Sequence, residues 1–400
     1  MEDRQEITRK RQVIVVGGGA AGLMAAIRAA EQGAAVTLLE HNDKPGRKIG
    51  ITGNGKCNLT NLRAPKDAYR GSHPEFAASA LEQFPVKETL LFFDSIGLTY
   101  SEKNALVYPR SRQAKCISEL LERQARTLKV KIKTQEHVEE LSCQEGVWKV
   151  KTSGWTYEGD AVILANGSKA SEAAGADGSG YVLAEKLGHH VIKPLPALLG
   201  LKCRDSGFAG WAGVRTDGKL TLLIDGRPEG EIEGELQLTE YGISGIPVFQ
   251  ISRFAVRALD EGKKVRLSVN FLPEYPKAYV GGWMEQRRER FPWKTSQDLL
   301  LGMFPDRLVK VLVKQKDLIK AITDFELEVT GSTGFASAQV CSGGVDTEEV
   351  DPVTMESRLH KGLYFAGELL DIDGACGGYN LQWAWSSGAA AGVHAAGGEK

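Results

Sequence analysis

The chain has 400 residues, 42% hydrophobic and 25% charged. That is enough to bury one large or two ordinary globular cores, and it excludes a disordered, collagen-like or disulfide-scaffolded chain. Fifty Lys+Arg against 51 Asp+Glu leave a formal charge of −1, so neither nucleic acid nor a membrane surface is expected as the main partner.

The first twelve residues, MEDRQEITRKRQ, are charged throughout and give no apolar signal-peptide region. Cys57, Cys116, Cys143, Cys203, Cys341 and Cys376 show neither a CxxC nor a Cys/His ligand spacing. Reduced thiols, no metal, no membrane span and a cytoplasmic setting are therefore expected. Glycine is the outlier: of 46 residues, nine fall within 1–61 and thirteen within 331–400. Backbone is expected to approach something closely at both ends.

Val13 to Val16 reads as a buried strand, followed by Gly17-Gly18-Gly19-Ala20-Ala21-Gly22 and a helix from Leu23 to Gln32. This is GxGxxG in a strand–turn–helix context. Gly17 makes the tight turn, Gly19 lets backbone N–H groups reach a pyrophosphate, and Gly22 permits close helix–strand packing. A second strand, Ala35 to Leu39, ends at Glu40, where a carboxylate binds a ribose 2′-OH and repels a 2′-phosphate. The nucleotide is thus of the FAD or NAD kind. Residues 43–61, rich in glycine, cations and amides, read as a loop rather than a helix. The loop is either solvated or a backbone-and-amide cradle along the pyrophosphate and flavin, with Arg47 or Lys48 near the phosphates.

Residues 74–127 read as helices broken by a hairpin around Tyr100 to Tyr108. Short strands from Val130 to Glu158 form a crossover meander, and Ala161 to Ala165 is another buried strand ending in Asn166-Gly167. This is the arrangement of an FAD-binding half-domain, with Val138 placed to meet the adenine through its backbone. His189-His190 reads as a surface strand start. From about Pro194 to Phe325 the cofactor motifs stop, and an inserted domain is expected. Within it, Leu238 to Pro247 reads either as a helix N-cap at Ser244 or as a loop facing the flavin.

Near the C-terminus, Gly362 to Glu368 is a short buried strand ending in glycine and acid, followed by Leu369 to Asn380 and a small-residue helix from Leu381. Glu368 or an Asp is expected to take a ribityl hydroxyl. The positive end of the helix is expected to face the ring and favour negative charge at its N1/C2 carbonyl edge.

The stretches GGGAAGLMAAIRAA, GRKIGITGNGKCNLTN, LTEYGISGIPVFQIS, AQVCSGGVDTEEVDPVTMESRLHKGLYFAGE and LLDIDGACGGYNLQWAWSSGAAAG span nearly the whole chain. By them it resembles the BaiN/YhiN-type family of FAD-dependent, NAD(P)-linked oxidoreductases. The resemblance implies an α/β fold: a discontinuous, Rossmann-like FAD-binding domain of the two-dinucleotide-binding flavoprotein type, residues 1–193 and 326–400. Residues 194–325 would form an inserted α+β domain on the substrate side. Carried over by position, it implies FAD contacts from Gly17, Gly19, Ala21, Gly22, Glu40, Arg47, Lys48, Gly53, Asn54, Gly55, Cys57, Asn58, Val138, Ala165, Gly167, Gly367, Glu368, Gly378, Tyr379, Asn380 and Leu381. The chain departs from the family pattern with Asn166 where Thr is usual and Glu240 where His is usual. Some members are associated with reduction of conjugated double bonds in 3-oxo bile-acid intermediates.

The expected activity is a flavin-dependent reductase that takes hydride from transiently bound NAD(P)H, there being no second GxGxxG, and passes it through flavin N5 to a conjugated C=C of a small ketone-like acceptor. An O₂-using oxidase of small amines or amino ketones is the second reading. A non-catalytic redox sensor acting through Cys57 or Cys376, or an RNA-related flavoprotein, is the third. An enone reductase needs a proton donor. Tyr241, Cys57 and Cys376 qualify by chemistry, and none is assigned as catalytic.

Overall fold

The computed structural model describes residues 9–63, 65–204 and 208–398. Contacts divide the chain into two compact units, one made of residues 1–194 with 340–400 and the other of Leu195–Gln339.

The first unit is built on a five-stranded sheet in the order Leu363–Phe365, Ala161–Leu164, Gln12–Val16, Ala35–Glu40, Lys131–Thr134, with every pairing parallel. Parallel strands are covered on both faces and so lack alternation, which is why Val13 to Val16 and Ala161 to Leu164 are continuously buried apolar runs. The chain's first strand lies at the centre, and its two neighbours are reached in opposite directions. This makes the C-terminal ends of Gln12–Val16 and Ala161–Leu164 a topological switch point, where such sheets open a binding crevice. The meander is present as three antiparallel strands, Val138–Gln144, Val147–Thr152 and Thr156–Gly159. Its first turn, Glu145-Gly146, has both residues at positive φ, as a two-residue hairpin turn requires.

The C-terminal helix Tyr379–Ala395 is buried over most of its surface and lies against Ala20–Glu31. A Cβ at Gly388 would fall 2.4 Å from the Ala21 carbonyl oxygen, and one at Gly392 2.4 Å from that of Ala25. Two glycines four apart on one face let these helix backbones meet. Part of the C-terminal glycine excess therefore serves packing of helix on helix.

The second unit is a closed antiparallel barrel of six strands in the order Leu201–Cys203, Gly242–Gly245, Arg227–Thr239, Arg215–Ile224, Val265–Asn270, Phe325–Ser332. Helix Ile246–Asp260 and a helical excursion running from Lys277–Arg290 to Leu318–Thr323 complete it. It has a core of its own, with Trp211 fully buried.

Three expectations are corrected. The insertion returns at 339/340 rather than 325/326, because Phe325–Ser332 pairs with both Leu201–Cys203 and Val265–Asn270 and so closes the barrel. Phe325, Leu327 and Val329 face inward and the glutamates between them face out. Ser244 is not an N-cap: it lies in the strand Gly242–Gly245, and Gly245 precedes the helix. His189 is not at the surface. Its ring is packed 4.8 Å from Phe365 and held between Glu349 (2.9 Å) and Ser357 (2.9 Å).

Candidate cofactor site

The glycine loop leaves the central strand at the switch point. Gly17 has φ +99°, and a Cβ there would sit 2.5 Å from the Ala165 carbonyl oxygen; one at Gly22 would sit 1.8 Å from that of Gly17. Both glycines are therefore required by backbone lying against backbone. Gly19 differs: a Cβ built there meets nothing within 4 Å. Among the described residues, no side chain caps the helix that begins after it, so the N–H groups of its first turn, at the positive end of the helix dipole, are left for an anion.

Glu40 is 5% exposed and held from both sides. One carboxylate oxygen accepts the Gly18 N–H at 2.7 Å; the other accepts the Asn42 N–H at 2.8 Å and its side-chain amide at 2.7 Å. Asn42, which the sequence reading missed, thus fixes the rotamer of the acid. A signal was present, since an Asn two residues after a strand-terminal acid is a turn-forming pattern. Backbone bonds from Gln135 to Asn42 and from Glu136 to Glu40 bring the entry of the meander, and with it buried Val138, beside the acid.

The segment read as a loop begins instead as helix Arg47–Gly55, which loses helical geometry at Thr52, Gly53 and Asn54. Gly46 donates to the Gly18 carbonyl, which seats the start of this helix on the glycine loop. Gly53, Asn54, Gly55 and Cys57 all have positive φ. The N–H groups of Lys56 and Cys57 are already bonded to Gly53 and Thr52, so the backbone cradle expected along this stretch is confined to its other amides. Cys57 is fully buried, and burial pushes its thiol up to about 12. That burial argues against its acting as an accessible redox sensor.

The two ends of the chain meet here. Lys48 pairs with Glu368 at 2.5 Å, and Ser168 donates to the same carboxylate at 3.1 Å. Burial raises the nearby Tyr181 hydroxyl and Cys341 thiol above their ordinary values. Gly367 packs on Ala21, where a Cβ would approach 2.8 Å, and Ser387 accepts the Gly367 N–H. Gly378, which precedes the C-terminal helix, lies against Thr60, and its N–H faces the Asn58 amide at 3.2 Å once that amide is oriented to accept. The side chain of Asn380 closes its own turn, with its amide bonded to both the N–H and the carbonyl of Gly374. Tyr379 and Leu381 are partly buried at the start of the helix. Arg47 is exposed and held by Asn42 and the Ala173 carbonyl.

These residues fit an FAD dinucleotide by three observations. Open space lies at Gly19 and at Gly167. A helix N-terminus stands uncapped beside them. The Asn166 Oδ1 is buried with no partner among the described residues, a cost that a ligand hydroxyl would relieve.

The family model described as HI0933-like protein Rossmann domain matches residues 11–394. The chain is 45% identical over 401 residues to the 3-dehydro-bile acid delta(4,6)-reductase of Clostridium scindens, covering 96% of this chain and 98% of that protein. It is 30% identical over 394 residues to the ribosomal RNA dihydrouridine synthase of Escherichia coli, covering 94% and 95%. Among solved structures it is similar to the 3-ketosteroid-delta4-(5alpha)-dehydrogenase of Rhodococcus jostii RHA1. There the TM-score is 0.50 at 16% identity, over 98% of this chain and 99% of that one, a likeness of fold.

Proposed function

The chain belongs to the HI0933-like Rossmann family, and from that premise we propose that it reduces a carbon–carbon double bond conjugated to a ketone in a steroid-like acceptor, with NAD(P)H as the source of reducing equivalents. It is an FAD-dependent oxidoreductase. The observation that carries the finer reading is 45% identity along nearly the whole chain to a bile acid delta(4,6)-reductase. The name of that relative describes a 3-oxo compound with double bonds in conjugation. A dihydrouridine synthase performs the same chemistry in another setting, because the uracil double bond it saturates is also conjugated to a carbonyl. The common reaction adds hydride at one end of the double bond and a proton at the other.

Bound FAD supplies the hydride carrier. The chain supplies position and electrostatics: Glu40, held by Gly18 and Asn42, takes the ribose, and the helix beginning at Ala20 faces the pyrophosphate. Lys48, Ser168 and Glu368 form the polar group at which the N- and C-terminal segments join. The six cysteines form no disulfide among the described residues, and no helix among those residues is long and apolar enough to cross a membrane. Both support the cytoplasmic setting that belongs to this proposal.

The test is anaerobic. NADH or NADPH should bleach the flavin absorbance, and a 3-oxo-4,6-diene steroid should restore it with loss of the dienone band. Bleaching without recovery by any conjugated ketone refutes the acceptor class, and in a parallel aerobic assay peroxide release from an amine without NAD(P)H would favour an oxidase.

A second reading, reduction of uridine in RNA, has an observation of its own. The Tyr275 ring stacks on Tyr279, with centroids 5.4 Å apart and 14° between planes, and on Trp283, at 6.5 Å and 19°. The Arg287 guanidinium lies 5.0 Å over Trp283, and residues 277–294 carry five cations against two acids. Near-neutral total charge conceals this local excess, and exposed rings among cations suit single-stranded nucleic acid. Salt-sensitive binding of a uridine-rich strand, weakened in a variant of the exposed ring, Tyr279→Ala, is its measurement; no binding at low salt removes it.

A further inference from the structure

Away from the cofactor site, the first unit has a surface cavity of about 500 Å³ whose wall includes His73, Glu75, Glu82, Thr347 and Glu348. At its edge His73 and Glu348, with the neighbouring Asp346, each offer one ligand-type atom, all within 4.8 Å of one another. Around a tetrahedral ion with bonds of about 2.1 Å, donor atoms lie about 3.4 Å apart. The closing movement needed is therefore at most about 1.4 Å, within reach of the partly exposed His73 and Glu348 side chains.

We propose that His73, Asp346 and Glu348 bind a divalent cation of the zinc or manganese class. The imidazole favours zinc over magnesium or calcium, and the two carboxylates also suit manganese. Thr347, in the cavity wall between two of the ligands, is 2% exposed. Its hydroxyl is buried with no partner among the described residues. A bound ion or its water would satisfy it.

The surroundings have the outer-shell pattern of a metal site. The other ring nitrogen of His73 faces Glu75 at 3.7 Å. Asp346 is braced by His190 at 3.0 Å and by the Glu348 N–H. The loop carrying Asp346 and Glu348 is held in turn by Glu349 on buried His189. The ion would join a segment near residue 73 to one some 270 residues later, both within the first unit, and so act as a clip between the N- and C-terminal parts of that unit.

The experiment uses the full chain, stripped of metal by chelation and titrated calorimetrically with zinc chloride and, separately, manganese chloride. One saturable site per chain is expected, with a rise in melting temperature on metal addition. His73→Ala and Glu348→Gln should each weaken affinity at least tenfold, and His190→Ala, which removes only the brace, by a smaller factor. Glu348 is 69% exposed in its side chain, so Glu348→Gln should fold normally. Cys143→Ser, at an exposed thiol, should bind metal as the parent does. Absence of saturable binding overturns the proposal, as does binding unchanged in both His73→Ala and Glu348→Gln.

Discussion

Substituting Gly388 by alanine adds one methyl group at the tightest point between helices Ala20–Glu31 and Tyr379–Ala395. The new Cβ would lie 2.4 Å from the Ala21 carbonyl oxygen and 3.1 Å from two further Ala21 backbone atoms, where real Cβ contacts do not fall below 3.0 Å. The obstacle is helix backbone rather than a flexible side chain, so the helices must separate by at least 0.6 Å along that contact. Overpacking of this kind costs about 1–3 kcal/mol. In the opposite sense, Gly→Ala inside a helix gains about 1 kcal/mol. The net expectation is a loss of about 1 kcal/mol, with faster hydrogen exchange in peptides from both helices. Gly281→Ala is the internal control, because it lies within helix Lys277–Arg290 and its added Cβ meets nothing within 4 Å; it should stabilise by about 0.5–1 kcal/mol. Adding Gly392→Ala, which meets Ala25 in the same way, should cost less than Gly388→Ala alone, since the helices have already moved apart. Urea denaturation followed by circular dichroism, with exchange read by mass spectrometry, measures all four proteins. If Gly388→Ala is stabilised like Gly281→Ala, the reasoning about backbone contact is wrong.

Gly19→Val should leave the apoprotein's melting temperature near that of the parent, because its side chain enters open space, yet lose FAD on gel filtration; retention of stoichiometric FAD would count against the pyrophosphate assignment. Native protein treated with a maleimide at pH 8 should be labelled at exposed Cys143 and not at Cys57, which is buried and has its thiol raised to about 12; labelling is located by peptide mass spectrometry. The adjacent histidines should titrate in opposite senses. Burial lowers His189 despite Glu349, so the unfolded chain binds its proton first and its contribution to stability is lost as pH falls below about 6.5. The bond to Asp346 raises His190, so its contribution is present below about 6.5 and is lost as pH rises through its folded value. Ring-proton NMR titration reads both, and equal midpoints would refute the burial argument.

Much of the candidate site was legible because its chemistry is local. Gly17, Gly22 and Glu40 have the conformations and neighbours that their spacing implies, and the C-terminal Gly367-Glu368 turn reaches the N-terminal helix and Lys48. Where the reading fell short, a partner distant in sequence decided the outcome. Ser168 carries no signal in its own neighbourhood, because its role depends on Glu368, 200 residues on. Cys57 looked accessible in a polar stretch, but its left-handed backbone accompanies a side chain buried in the core. Ser244 and its two flanking glycines resemble a helix start, and only pairing with Arg227–Thr239 and Leu201–Cys203 makes them a strand.

The sequence by itself determined the dinucleotide loop, the acid at the second strand's end and the family, since turn geometry and strand-to-helix transitions are written in residues a few places apart. Tertiary structure alone decided where the insertion ends, why Gly388 and Gly392 are glycines, that His189 is buried, and that His73 meets Asp346 and Glu348. Each of these is a contact between residues far apart along the chain, and local spacing and periodicity hold no record of which distant backbone or side chain will arrive.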